Sequence, residues 1–168
     1  MIPPVAPAIM RLFKSSLRVR PLKGSLLRRP PGFKPANVKQ FKEDMQRLGE
    51  DIAEEFKDTI VENIEDNKFG YRLAPSTIQR KGHDTPLIDS HELVDAIYRD
   101  GTTVSVEDTP RDDSSLTNKQ LAMVQEYGTK DKHIPPRPVW RNTFDGFEKT
   151  ARKRVKDFLA TQEFKRKK

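Results

Sequence analysis

The chain has 168 residues with a hydrophobic fraction of 34%, a mean hydropathy of -0.80 and a formal net charge of +7. That length fits one domain of about 100–150 residues plus appendages, and nine Phe among many Leu, Ile and Val exclude full disorder. The absence of Cys excludes a disulfide framework, a thiolate nucleophile and a Cys-based zinc site, no apolar run approaches the roughly 20 residues that span a bilayer, and MIPPVAPAIM lacks the charged start of a secretory signal.

Residues 1–36 contain seven of the thirteen prolines. Proline lacks an N–H and clashes with the preceding turn, so this segment reads as an extended arm. A short amphipathic piece is expected around Ile9 to Val19, with Ile9, Leu12, Phe13 and Leu17 on one side and Arg11, Lys14 and Arg18 on the other.

From Asn37 the pattern changes. Val38, Phe41, Met45, Leu48, Ile52, Phe56, Ile60 and Ile64 recur in three- and four-residue steps, which predicts a helix of about 28 residues capped by Asn37 and lying on a sheet or a partner helix. Ser76 to Arg80 make a short helix behind Pro75. Asp89 with Glu92 has the capping-box spacing and predicts a turn or two ending near Ala96.

Ile97 to Arg99 and Thr102 to Glu107 are rich in β-branched residues and flank Asp100-Gly101, which predicts a hairpin with a type I′ turn. A polar loop, Asp108 to Ser115, follows. Thr117 to Tyr127 predict a helix closed by Gly128. Pro135, Pro136 and Pro138 keep residues 129–138 out of a helix. Val139 to Arg141 are expected to add a short strand. Asn142 then caps a last helix with Phe144, Phe147, Ala151, Val155, Phe158 and Leu159 on one face, before a loose KRKK tail.

Charge is segregated along this order. Residues 1–36 hold eight Lys/Arg and no acid, residues 149–168 carry +7, and residues 37–148 carry -8. Such an acidic body with basic ends fits ends that reach polyanions or acidic protein surfaces, or oppositely charged parts of neighbouring copies. Aromatic residues are sparse among the basic ones, which argues against sequence-specific nucleic-acid reading and leaves loose backbone contact as a use of the ends.

Catalytic and metal chemistry has little purchase. His83-Asp84, Asp89 and His91-Glu92 bring two imidazoles and three carboxylates within ten residues, but not at the spacing of a ligand motif. Loop polar residues beside a helix start account for them. His133 lies in a Lys- and Pro-bearing loop and reads as solvated. Glu54-Glu55 and Asp112-Asp113 are not placed as an acid/base pair, and there is no phosphate loop or nucleophile elbow. No catalytic residue, metal ligand or cofactor site is assigned.

Four stretches in order carry a resemblance. They are Leu73, Ala74, Pro75, Ser76, Thr77 and Lys81; Pro86, Leu87, Ile88, Asp89, Ser90, Leu93 and Ile97; Gln125, Glu126, Tyr127, Gly128 and Thr129; and Ile134, Pro135, Pro136, Arg137, Pro138 and Val139. Over roughly residues 38 to 160 the chain resembles the tail-completion and head-tail joining proteins of tailed bacteriophages, including the Mu-type virion morphogenesis proteins. It departs from them in having His91 where the family usually has Gly, Met123-Val124 in place of Tyr-Ala, and Trp140 in place of an aliphatic residue. The basic arm lies outside the shared region.

The resemblance implies an α+β protomer with a small antiparallel sheet packed by a long N-terminal helix and a C-terminal helix. It also implies a structural, non-enzymatic role in a ring, commonly sixfold, at the phage neck. Its partners would be copies of itself and neighbouring connector and tail proteins, with no membrane and with DNA contact in the channel as an option. On this reading residues 1–36 are the arm, 37–160 the joining domain and 161–168 a basic tail. Arg11, Arg18, Arg20, Leu87, Tyr127, Pro135, Pro136, Arg137, Pro138 and Trp140 are the candidate interface residues. The competing expectation is an organellar or ribosome-associated RNA binder whose acid-free arm is a cleavable targeting segment.

Overall fold

The structure is a computed structural model that describes residues 37–88, 91–112, 115–131 and 133–166. The amphipathic piece expected at Ile9 to Val19, and Arg11, Arg18 and Arg20, lie outside the described residues. Helix α1 spans Val38–Glu65 and begins where Asn37, in extended backbone, accepts the Gln40 N–H on Oδ1 at 3.1 Å. It stops at a turn pinned by Asn67, whose φ is 44°. The Asn67 side chain donates to the Tyr71 carbonyl at 2.9 Å and accepts the Tyr71 N–H at 3.0 Å. Asn tolerates this left-handed geometry better than most residues because its short polar side chain bonds locally.

Helix α2, Pro75–Lys81, starts on a proline whose missing N–H is not needed in a first turn. Helix α3 is the single turn Glu92–Asp95. Its start differs from the capping box expected at Asp89 and Glu92. The N-cap position belongs to His91, at φ 61° and with no side-chain cap bond, and Asp89 lies outside the described residues. Burial holds this turn instead, since Pro86, Ile88, Leu93 and Val94 are all inside.

Strands β1 (Ile97–Asp100) and β2 (Thr103–Val106) pair antiparallel with Ile97 opposite Val106, Arg99 opposite Val104 and Asp100 opposite Thr103. The loop is therefore Gly101-Thr102, one residue later than expected, and only Gly101 (φ 56°) has positive φ, the pattern of a type II′ rather than a type I′ turn. The register is set by burial. It turns Ile97, Val104 and Val106 toward α1, and a slip of one residue would turn them to solvent. Two strands alone are marginal in water, so the hairpin depends on the helix that covers it. Gly49 makes that approach close, because a Cβ there would sit 2.9 Å from Thr102 Cγ2.

Helix α4, Asn118–Tyr127, opens with a reciprocal capping box. Thr117 Oγ1 accepts the Gln120 N–H at 3.3 Å, and Gln120 Oε1 accepts the Thr117 N–H at 3.1 Å. Helix α5 spans Val139–Arg166. Val139 to Arg141, expected as a strand, are its first turn, and Asn142, expected as its cap, lies inside it with Nδ2 on the Tyr71 hydroxyl at 3.0 Å. The helix also runs through 161–166, which had been expected as tail; Lys, Arg, Gln and Glu are good helix formers.

Helices α1 and α5 pack antiparallel. Phe41 meets Phe158 with ring centroids 5.9 Å apart, Phe56 meets Phe147 and Phe144, and Asn63 Nδ2 donates to Thr143 Oγ1 at 2.8 Å. The core lies between this pair and the hairpin, built from Ile52, Phe56, Ile60 and Ile64 of α1, Val104 and Val106 of β2, and Val139, Phe147 and Val155 of α5. Arg99 closes one side, its Nε donating to Glu54 at 2.6 Å and its Nη1 to the Gly101 carbonyl at 2.8 Å. The fold is α+β. No described helix is long and apolar enough to cross a membrane.

Candidate assembly surface

The loop between α4 and α5 is built from two of the stretches singled out in the sequence, residues 125–129 and 134–139. α4 ends at Gly128, with φ 72° and ψ -175°. The chain then folds back on itself. Thr129 N–H donates to the Ile134 carbonyl at 3.0 Å, and the Ile134 N–H returns to Thr129 Oγ1 at 3.1 Å. Arg137 ties the far side of the loop to the helix: its N–H donates to the Gln125 carbonyl at 2.6 Å and its Nη1 to Gln125 Oε1 at 2.8 Å. Its Nη2 reaches the Arg72 carbonyl at 3.4 Å. Burial pulls the Arg137 guanidinium below its usual value, yet a guanidinium stays charged, so the two carbonyl-type acceptors that meet it, Gln125 Oε1 and the Arg72 carbonyl, offset lost hydration.

Glu126 is the central polar group. It is 4% exposed, and its two oxygens accept the Trp140 N–H at 3.1 Å and the Arg141 N–H at 3.2 Å. These are orphan donors of the first turn of α5, so the carboxylate caps that helix across the loop and meets the positive end of its dipole. Burial is the largest influence on Glu126 and raises its pKa, against the two backbone N–H groups and the Arg141 charge, which lower it. Arg141 also lies over the Tyr127 ring, 5.6 Å from its centroid.

A raised folded pKa makes this carboxyl's contribution largest below the ordinary glutamate value near 4.5, where folded and unfolded chains are both protonated. The contribution falls as pH rises toward the folded pKa, because the unfolded chain releases its proton first. Glu126→Gln keeps the shape but sets an amide NH2 against one of the two N–H donors, and loses about 1 kcal/mol at neutral pH. Urea titrations from acid to neutral pH check the sign. The excess stability of the wild type over the variant shrinks as pH rises; growth of that excess would contradict the account.

The other motifs link into the same structure. Lys81 Nζ donates to the Thr85 carbonyl at 3.2 Å and to the Ile88 carbonyl, joining α2 to the segment before α3. α3 packs on α4 and β1, and Arg111 Nη1 bonds Asn118 Oδ1 at 3.0 Å and lies 3.6 Å from Glu92. Leu87 (φ 66°) and His91 (φ 61°) both hold left-handed backbone between these anchors. His91 is exposed, and glycine would adopt this geometry without strain. His91→Gly accordingly raises the thermal midpoint, by an amount worth up to about 1 kcal/mol; a lowered midpoint would mean the imidazole is holding the turn.

The expected interface residues separate into two groups. Pro135 and Pro136 are exposed, Tyr127 is 38% exposed, and Arg137 and Pro138 are half-buried at the loop's base. Leu87 packs against the core. Trp140 is 6% exposed and, in the first turn of α5, is a core residue rather than a surface anchor. Sequence reasoning missed Glu126 as a cap. It is part of a quoted motif, but its partners lie fourteen and fifteen residues on, beyond any local capping rule.

His83 accepts the Thr85 N–H on Nδ1 at 3.3 Å, and His133 pairs with Asp131 at 3.1 Å while 82% of its side chain is exposed. Among the described residues no group of three or more His, Asp or Glu is placed to hold a metal ion. The groups with polar reach are thus spent on joining segments, and the surface they support offers shape, an aromatic ring and prolines. No protein-family model, curated protein or solved structure matches the chain.

Proposed function

We propose that this chain is a structural virion protein of the neck of a tailed phage, forming a ring that completes the tail and joins it to the head-side connector. The observation that supports it is the convergence of the four motif segments. Lys81 joins the first to the second, α3 on α4 joins the second to the third, and Gln125, Glu126 and Gly128 clasp the fourth. The third and fourth stretches therefore build one braced loop, Gly128 to Pro138, to which the first two are joined through α3 and α4, and its ordering on docking costs little because its bonds are already made. Negative-stain images of the purified full-length chain test the reading, with rings of uniform diameter as the expected result. A lone subunit that co-purifies with RNA and loses its first 30 or so residues would overturn it in favour of the RNA-binding alternative.

A further inference from the structure

Two charged rows on the helical pair are left over by the braced loop. On α1, Asp51, Asp58, Glu62 and Glu65 are exposed and follow one another in steps of seven, four and three, so they share the face turned away from the core. On α5, Lys149, Lys153 and Lys156 are exposed in steps of four and three, with Asp145 and Asp157 to either side of the row. Asp58 has Lys57 beside it at 3.4 Å; the other six row residues are in no ion pair among the described residues.

The rows cannot meet within one subunit. α5 faces α1 with Thr143, Phe144, Phe147 and Phe158, and the lysines lie on the opposite side. At 1.5 Å per residue the acidic row is about 21 Å long and the basic one about 10 Å, so the second fits inside the first.

We propose that copies of this chain associate head to tail, the Lys149–Lys153–Lys156 row of one docking on the Asp51–Glu65 row of the next. The proposal rests on the reading of the chain as a repeated structural subunit and names the surfaces that repeat. A contact between two different faces of the same protein closes into a ring or runs on as a filament, whereas a face that meets itself stops at a dimer. Neither row can meet its own copy without like-charge repulsion. A second copy uses both rows; a polyanion would use only the lysines and be repelled by the acidic body.

The test uses the full chain, the triple variant K149E/K153E/K156E and the triple variant D51K/E62K/E65K, compared by sedimentation velocity at low and high salt. The wild type assembles, more weakly at high salt because exposed charges are screened. Each variant alone associates about tenfold more weakly or worse. An equimolar mixture recovers assembly, since the reversed rows complement each other and the remaining native rows still match. Assembly of the wild type with both variants unimpaired overturns this interface and leaves the subunit reading standing. A wild type that is monomeric at every salt and concentration overturns the subunit reading and the interface with it. Loss of duplex-DNA affinity in the lysine variant with assembly intact assigns the row to a polyanion and overturns the proposal.

Discussion

Phe56→Ala destabilises the folded chain by about 3–5 kcal/mol, the largest loss expected of any single substitution. Phe56 is 1% exposed and stands at the junction of both long helices. Its ring meets Phe144 edge-on at 6.0 Å and Phe147 at 5.3 Å, so truncation removes transfer free energy and two aromatic contacts together and leaves a void. The helices are held over their length by ridges of side chains and cannot close around one missing ring. Domains of this size are stable by roughly 5–15 kcal/mol, so the variant sits near the edge of folding. Urea unfolding measures it; Phe56→Leu, which keeps most of the volume, loses much less. Near-equal losses for Leu and Ala would show that ring geometry, and not volume, governs the site.

Gly128→Ala loses about 2–4 kcal/mol, combining a backbone and a packing effect. At φ 72° and ψ -175° the residue occupies a region that is essentially restricted to glycine. An added Cβ would also lie 2.7 Å from the Ile134 carbonyl oxygen, 3.0 Å from the Pro136 nitrogen and 3.1 Å from Pro136 Cδ. These are backbone and ring atoms that cannot swing aside, and the Ile134 carbonyl is the one that accepts the Thr129 N–H. Amide exchange should therefore quicken at Thr129 and Arg137 before it quickens in the core. The contrasting control is Gly146→Ala. Gly146 is helical and exposed, and its Cβ would meet nothing within 4 Å, so the change gains about 0.5–1 kcal/mol. Losses of equal size at both glycines would refute the steric account of Gly128.

Local signals carried much of the secondary structure. Asn37 as a cap, the run of α1 to about residue 64, Pro75 at a helix start and Gly128 at a helix end all follow from rules spanning one or two turns. The misplaced features share a cause. The hairpin loop moved by one residue because the α1 face chose the register, and the strand expected at Val139 became helix because Glu126 accepts from its first N–H donors. In each case a partner far along the chain outweighed the local preference.

What the residues by themselves determined is a long helix, a hairpin and a last helix in that order, the amphipathic faces of the two long helices and the charge contrast between the body and its basic ends, since periodicity and composition are properties of the chain before it folds. Only tertiary structure decided that Trp140 is core, that Glu126 and Arg137 are struts, and that the lysines of α5 and the acids of α1 face apart. Those outcomes depend on which groups burial brings together across tens of residues, and no local spacing encodes that.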